Sequence, residues 1–286
     1  MTLRLLLALT WLIHWLPFRV MQWLAIPLGH LLYLALKKRR HIGQTNLRLC
    51  FPEWDEKQRA QILRQHFIDL CSTILAYSIL LHASPARLYR LIQIEGIENV
   101  EPHQGQALIL LCPHFLGLDF GGVLYTEKHK GASMYAEQRG AFHQLSLKIR
   151  SRFNDPILIK RTDGIRPIVR ALKAKLPFYY LPDQDMGAQQ SIFSPFFGIQ
   201  TATLPMLGKL AEMTGAAVVP IITTVGRGHF VSRFYPAWDN FPSGDLQQDT
   251  DRMNAFIEDI ARQYPSQYYW LHRRFKTRPE GEAGFY

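Results

Sequence analysis

Three short stretches of this chain carry side chains that a hydrophobic interior would not select. "LILLCPHFLGLDF" sets His114 and Asp119 five residues apart inside an otherwise apolar run. A neutral imidazole is a general base near neutral pH, and a carboxylate against it fixes the tautomer and stabilises the imidazolium. "ILIKRTDGIRPIVRAL" groups Lys160, Arg161 and Arg166. These are cations suited to phosphate or carboxylate, with arginine adding a planar fork. "FYYLPDQDMG" closes on Asp183 and Asp185. That pair could orient Arg161, accept a sugar hydroxyl or cap a turn. Each cluster also has a plain reading: a locally satisfied hydrogen bond, a solvated charge at a helix start, a turn.

The spacing constrains the elements that carry these groups. In one continuous helix, five residues advance by about 500°, which would leave His114 and Asp119 on different faces. Pro113 disfavours helix for the residue before it and Gly117 permits a bend. His114 is therefore expected in a turn after a strand, with Asp119 in the first turn of the next helix and within reach of the imidazole. From Leu91 onward, β-rich apolar runs at 91–94, 107–112, 132–136, 156–159, 177–181, 217–223 and 229–235 alternate with helical segments near 118–128, 140–152, 164–174, 202–213 and 247–263. Such alternation predicts an α/β fold with a mostly parallel central sheet flanked by helices. All three polar clusters then fall at strand ends, where such folds gather their functional groups.

Ahead of this region, Asp55 is a plausible N-cap for a helix over 56–82, with Ile62, Leu63, Phe67, Leu70, Ile74 and Leu75 on its apolar positions. The first forty residues are apolar from end to end but interrupted by Arg4, His14, Arg19 and His30. The stretch Val20–Leu36 contains no Lys, Arg, Asp or Glu. As a helix it would rise only about 25 Å, marginal against a hydrocarbon core of about 30 Å. No small-residue cleavage site follows, and a basic cluster, Lys37–Arg40, does, which disfavours a signal peptide. Trp11, Trp15 and Trp23 suit a headgroup interface. The expectation is an N-terminal hydrophobic helical membrane anchor over 1–40, spanning or interfacial, joined to a catalytic domain over 41–286; a buried helix hairpin is the alternative.

Composition narrows the function. The chain has 286 residues, 48% hydrophobic and 20% charged, which fits neither a disordered nor a polytopic membrane protein. A net charge of +10 calls for an anionic partner. No nucleic-acid-binding module is recognisable, so nucleic acid is not expected. Cys50, Cys71 and Cys112 are isolated in apolar contexts and the histidines show no ligand spacing, so neither disulfides nor a metal site is predicted. There is no G-x-S-x-G elbow to supply a serine nucleophile.

"HFLGLD", "IKRTDGIRP", "LPDQDMG" with "FFGIQTAT", "TGAAVVP" and the closing "NAFIEDIARQYPSQYYWLHRRFKTRP" together resemble the ordered blocks of the lysophospholipid acyltransferase superfamily. Within it they are similar to the late acyltransferases of lipid A biosynthesis. The glycerolipid branch usually ends its third block in Pro-Glu-Gly-Thr, from which "LPDQDMG" departs. Asp119 stands where the lipid A branch often has Glu. The resemblance implies transfer of a fatty acyl group, without a cofactor, from acyl-carrier protein to a hydroxyl of a phosphorylated, Kdo-bearing lipid A precursor of the Kdo-lipid IVA type. It implies His114 as base and Asp119 as its orienting acid, with Arg161 on an acceptor phosphate or on developing negative charge. Lys160 and Arg166 could complete that anion site. It places the protein among the lipids of a bacterial inner membrane, with the catalytic domain on the cytoplasmic face. Two rivals are a glycerophospholipid (lysophosphatidate-type) acyltransferase using acyl-CoA, and a non-catalytic peripheral protein that binds anionic lipid.

Overall fold

A computed structural model of the chain describes residues 3–137 and 140–286. Seven strands form one sheet in the order β1 (Ile92–Glu95), β9 (Phe230–Phe234), β8 (Ala217–Val225), β2 (Leu108–Leu111), β5 (Phe178–Tyr180), β3 (Ala132–Tyr135), β4 (Ile157–Lys160). Every adjacent pair is parallel except β8–β9, so an edge pair runs against a parallel block of five. All four residues of β2 are buried, as a strand covered on both faces requires. The sheet is flanked by α6 (Leu118–Lys128), α7 (Ala141–Arg150), α8 (Arg166–Lys173), α9 (Met206–Thr214) and α10 (Leu246–Gln263).

All seven expected strands are present, and the α/β class with its mostly parallel sheet stands. Beyond the main sheet the sequence reading missed a pair of strands. A hairpin, β6 (Ile192–Phe196) and β7 (Ile199–Thr203), forms outside the main sheet and takes residues the sequence had assigned to the start of α9. The helix begins only after Pro205, which suits a helix start because it needs no backbone donor.

The N-terminal third is helical: α1 (Leu3–Ile13), α2 (Phe18–Ala35), α3 (Lys37–Cys50), α4 (Glu56–His82) and α5 (Pro85–Leu91). Asp55 caps α4 as expected, in a reciprocal box in which its Oδ1 accepts from the Gln58 amide at 2.7 Å and Gln58 Oε1 accepts from the Asp55 amide at 2.9 Å.

The expected membrane anchor is not evident in the structure. Among the described residues no single helix is long and apolar enough to cross a membrane, and α2 and α3 meet at 92°. The physical reason lies in the pattern of α2, whose Phe18, Met21, Ala25, Gly29 and Tyr33 recur at helical spacing and are buried. The helix lies along α4, Phe18 stacks on Phe230 at 4.7 Å, and Gln22 bonds the backbone of Gly226 and Gly228 at 2.8 Å each. The helices α1 and α2 thus share a core with the remainder. The opposite face of this segment stays apolar and exposed, at Trp11, Leu12, Trp15, Trp23, Leu31 and Leu34.

Candidate active site

β2 ends at Leu111, and Pro113 stops the ladder, so His114 begins an irregular loop. The C-terminal block pins that loop from outside. The His114 carbonyl accepts from the Tyr269 amide at 2.9 Å, Leu116 donates to Gln267 at 3.0 Å, and Phe115 pairs with Tyr268. Gly117 then starts α6 against β8, where a β-carbon would stand 2.6 Å from the Thr223 carbonyl oxygen. Only glycine lets the helix enter so close, and the next turn carries Asp119.

His114 Nδ1 lies 2.7 Å from Asp183 Oδ1, and the same carboxylate accepts the His114 backbone N–H at 2.9 Å. Asp183 is 3% exposed. Burial alone would push its carboxyl up, but the adjacent imidazole, its two hydrogen bonds and the positive charge of Arg274 hold it below the usual carboxylate range. An ionised Asp183 accepts, so Nδ1 carries the proton and Nε2 is left as the basic nitrogen. His114 lines two clefts. Arg274 is itself buried, donating to Ala202 O at 3.0 Å and Thr203 Oγ1 at 2.9 Å. His272, which accepts the Asp185 amide at 3.0 Å, is held down to about 4 by burial and by His114 and Arg274, and so stays neutral.

The expected contact between Asp119 and His114 is not made. Asp119 Oδ2 accepts from the Tyr77 hydroxyl at 2.7 Å and Oδ1 from Arg150 Nε at 2.9 Å. Burial and the neighbouring Asp119 charge push the Tyr77 hydroxyl well up, which keeps it a donor, and Asp119 raises Arg150 against the opposing effect of burial. Asp119 still faces the same cleft as His114, together with Arg150, Ile74 and Phe142. Asp183 has therefore taken the place foreseen for Asp119, which pairs with Tyr77 and Arg150 instead. The chain brings the strand end at 183 onto the imidazole because β5 is the direct neighbour of β2.

The basic cluster separates. Arg161 is exposed, lies 3.0 Å from Met186 Sδ, and lines the second cleft beside His114 and Arg150. Lys160 points to Glu137 at 3.1 Å on the surface, and Arg166 is exposed at the start of α8, away from both clefts. Asp185 turns away from the clefts and is used internally, accepting from the Thr277 amide at 2.7 Å, the Thr277 hydroxyl at 2.8 Å and the Gly187 amide at 2.8 Å. Sequence reasoning missed Arg150 and Tyr77. Both stand in helices, and nothing in a helical pattern separates an arginine or tyrosine that turns inward from one that covers the surface.

A largely apolar recess adjoins this cluster, lined by Leu110, Val123, Pro177, Tyr179 and Leu181 and bordered by Asp119 and Arg150. The site thus joins a buried-acid-backed imidazole, a paired guanidinium and an apolar recess.

The family described as bacterial lipid A biosynthesis acyltransferase matches residues 1–277. A lipid A biosynthesis acyltransferase of Haemophilus influenzae is 33% identical, covering 95% of this chain and 86% of that protein. The lipid A biosynthesis lauroyltransferase of Escherichia coli is 31% identical over 96% of this chain and 92% of its own, and the myristoyltransferase of the same organism 31% over 86% and 78%. A solved 1-acyl-sn-glycerophosphate acyltransferase from Thermotoga maritima covers 88% of this chain and 99% of its own at 11% identity, with a TM-score of 0.38, a likeness too slight to inform the site. The chain belongs to the bacterial lipid A biosynthesis acyltransferase family.

Proposed function

We propose that the protein transfers a fatty acyl group from the thioester of acyl-carrier protein to a hydroxyl of a phosphorylated, Kdo-bearing lipid A precursor of the Kdo-lipid IVA type. The observation that carries the reading is His114, backed at Nδ1 by a buried carboxylate and open to two clefts through its other face. The acceptor oxygen bonds to the thioester carbonyl carbon as its proton passes to Nε2. The carbonyl pair moves onto oxygen and then returns, the carbon–sulfur bond breaks, and the sulfur leaves with the proton that the imidazolium gives back. A thioester is already activated, so no covalent enzyme intermediate is required. Asp183 holds the tautomer and stabilises the imidazolium, the role that an orienting acid plays for a histidine base. Arg161, on the rim of the second cleft, is placed to hold an acceptor phosphate, and the net charge of +10 suits both an acidic carrier protein and an anionic glycolipid.

The exposed apolar face of α1 and α2, with three tryptophans and the basic run Lys37–Arg40 at its end, supports attachment in the plane of a membrane interface rather than a span. Attachment on the cytoplasmic face of the inner membrane would put the clefts where such an acceptor lies. Mass spectrometry of products from the purified full-length protein tests the reading, with each donor offered to each acceptor. Acyl-carrier-protein thioester with the lipid A precursor should give the fast pair. Acyl-CoA with a lysophosphatidate as the faster pair would favour glycerophospholipid acylation, and vesicle binding without turnover of any pair would leave only a lipid-binding role.

A further inference from the structure

We propose that Arg150 supplies the positive charge that meets the carbonyl oxygen of the acyl donor during transfer, and that Asp119 acts through Arg150 rather than through His114. The inference rests on the acyl-transfer reading above and deepens it.

Asp119 has both carboxylate oxygens engaged, one by the Tyr77 hydroxyl at 2.7 Å and one by Arg150 Nε at 2.9 Å. It has no hydrogen bond to His114, whose Nδ1 is taken by Asp183 at 2.7 Å. The arginine, by contrast, is only partly used. Its Nε is fixed by Asp119, while among the described residues neither Nη group has a hydrogen-bond partner in the protein. The side chain keeps 22% exposure, and Arg150 borders both clefts that contain His114 and the apolar recess as well. Tyr77, from α4, and Arg150, from the last turn of α7, thus clamp Asp119 of α6, and the clamp leaves both Nη groups of an arginine that borders all three spaces unpaired.

A fatty acyl thioester has an apolar chain and one polar reacting group. With its chain in the recess lined by Leu110, Val123, Pro177, Tyr179 and Leu181, its carbonyl emerges at the border that Arg150 forms with the His114 clefts. Negative charge develops on that oxygen as the acceptor attacks. Donors fixed in advance at such a position stabilise the transition state without reorganising. Arg161 lies on the open rim of one cleft and not at the apolar recess, which suits it to the acceptor and not to the carbonyl.

The test is a double-mutant cycle on the full-length protein in detergent micelles, with an acyl thioester and the lipid A precursor as substrates. Arg150→Gln should lower kcat by about 10²–10³, the usual loss for one oxyanion donor, while both KM values stay within a few-fold. Asp119→Asn should lower kcat too, but adding it to Arg150→Gln should cost little more, because its effect is already spent. Asp119→Asn added to Asp183→Asn should instead multiply the two losses. Arg150→Lys, which keeps the cation but cannot serve Asp119 and the carbonyl with one planar fork, should retain part of the rate and guards against a merely misfolded Gln variant. Full multiplication of the Asp119 and Arg150 losses, wild-type kcat in Arg150→Gln, or a defect confined to acceptor KM would each overturn the proposal. Wild-type protein that transfers no acyl group would instead overturn the reading on which it rests.

Discussion

His66 offers a way to test the packing of the C-terminal block that holds the His114 loop. It stands on α4, fully buried, with Nδ1 2.8 Å from the Ser266 carbonyl and Nε2 without a partner. Nδ1 therefore carries the proton, and protonating Nε2 would bury a cation with an unsatisfied N–H. Burial accordingly lowers His66 to about 4, against a slight opposing effect of the Ser266 bond. The sign follows from linkage: a folded value below the unfolded one means stability that is present above about 6.5 and is lost as pH falls towards about 4. Between about pH 8 and about pH 5 the unfolded chain takes up the proton and the folded one does not, at a cost of about 2 kcal/mol. His272, also held at about 4, adds a loss of similar size over the same window. His66→Asn places an N–H near Nδ1 and removes the titration. Urea-unfolding free energies measured in mild detergent at both pH values should show the variant losing about 2 kcal/mol less than wild type across the interval. The comparison uses the change with pH, so the small void left by Asn cancels. An equal loss in both proteins would refute the buried neutral histidine.

Gly29→Leu should destabilise by at least the 1–3 kcal/mol typical of overpacking, because a β-carbon there stands 2.7 Å from Ile68 Cα and backbone cannot yield; unchanged urea unfolding would mean that α2 is not docked on α4. Arg274→Met should cost about 3 kcal/mol by stranding the Ala202 and Thr203 acceptors and removing the cation behind Asp183, read from the unfolding midpoint. Replacing Trp11, Trp15 and Trp23 together by Ser should weaken co-sedimentation with anionic vesicles about tenfold or more, since these exposed rings are suited to a headgroup interface; unaltered sedimentation would assign attachment to the basic surface.

Period and punctuation made the sheet legible. The apolar runs after Leu91 are short and separated by helix-length segments, and Pro113 with Gly117 marks the loop that carries His114. The partners of the site were not legible, because they depend on strand order. Asp183 reaches His114 across 69 residues only because β5 lies beside β2, and Asp119 is claimed by Tyr77, 42 residues away on a helix of the N-terminal third. Spacing within one loop favoured the nearer carboxylate, and topology chose the farther one. The docking of the apolar N-terminus was not legible for a related reason: a helix with one face on α4 and the other apolar and exposed reads as uniformly hydrophobic from sequence.

The central claim is that His114 is the base for acyl transfer. Its most direct test is the single-turnover rate of the purified protein on an acyl thioester and the lipid A precursor, followed by mass spectrometry, for wild type and His114→Ala. The variant should fold, bind both substrates and transfer about 10² to 10⁴ times more slowly, the usual share of a general base. A folded His114→Ala protein that transfers the acyl group within a few-fold of wild type would contradict the account.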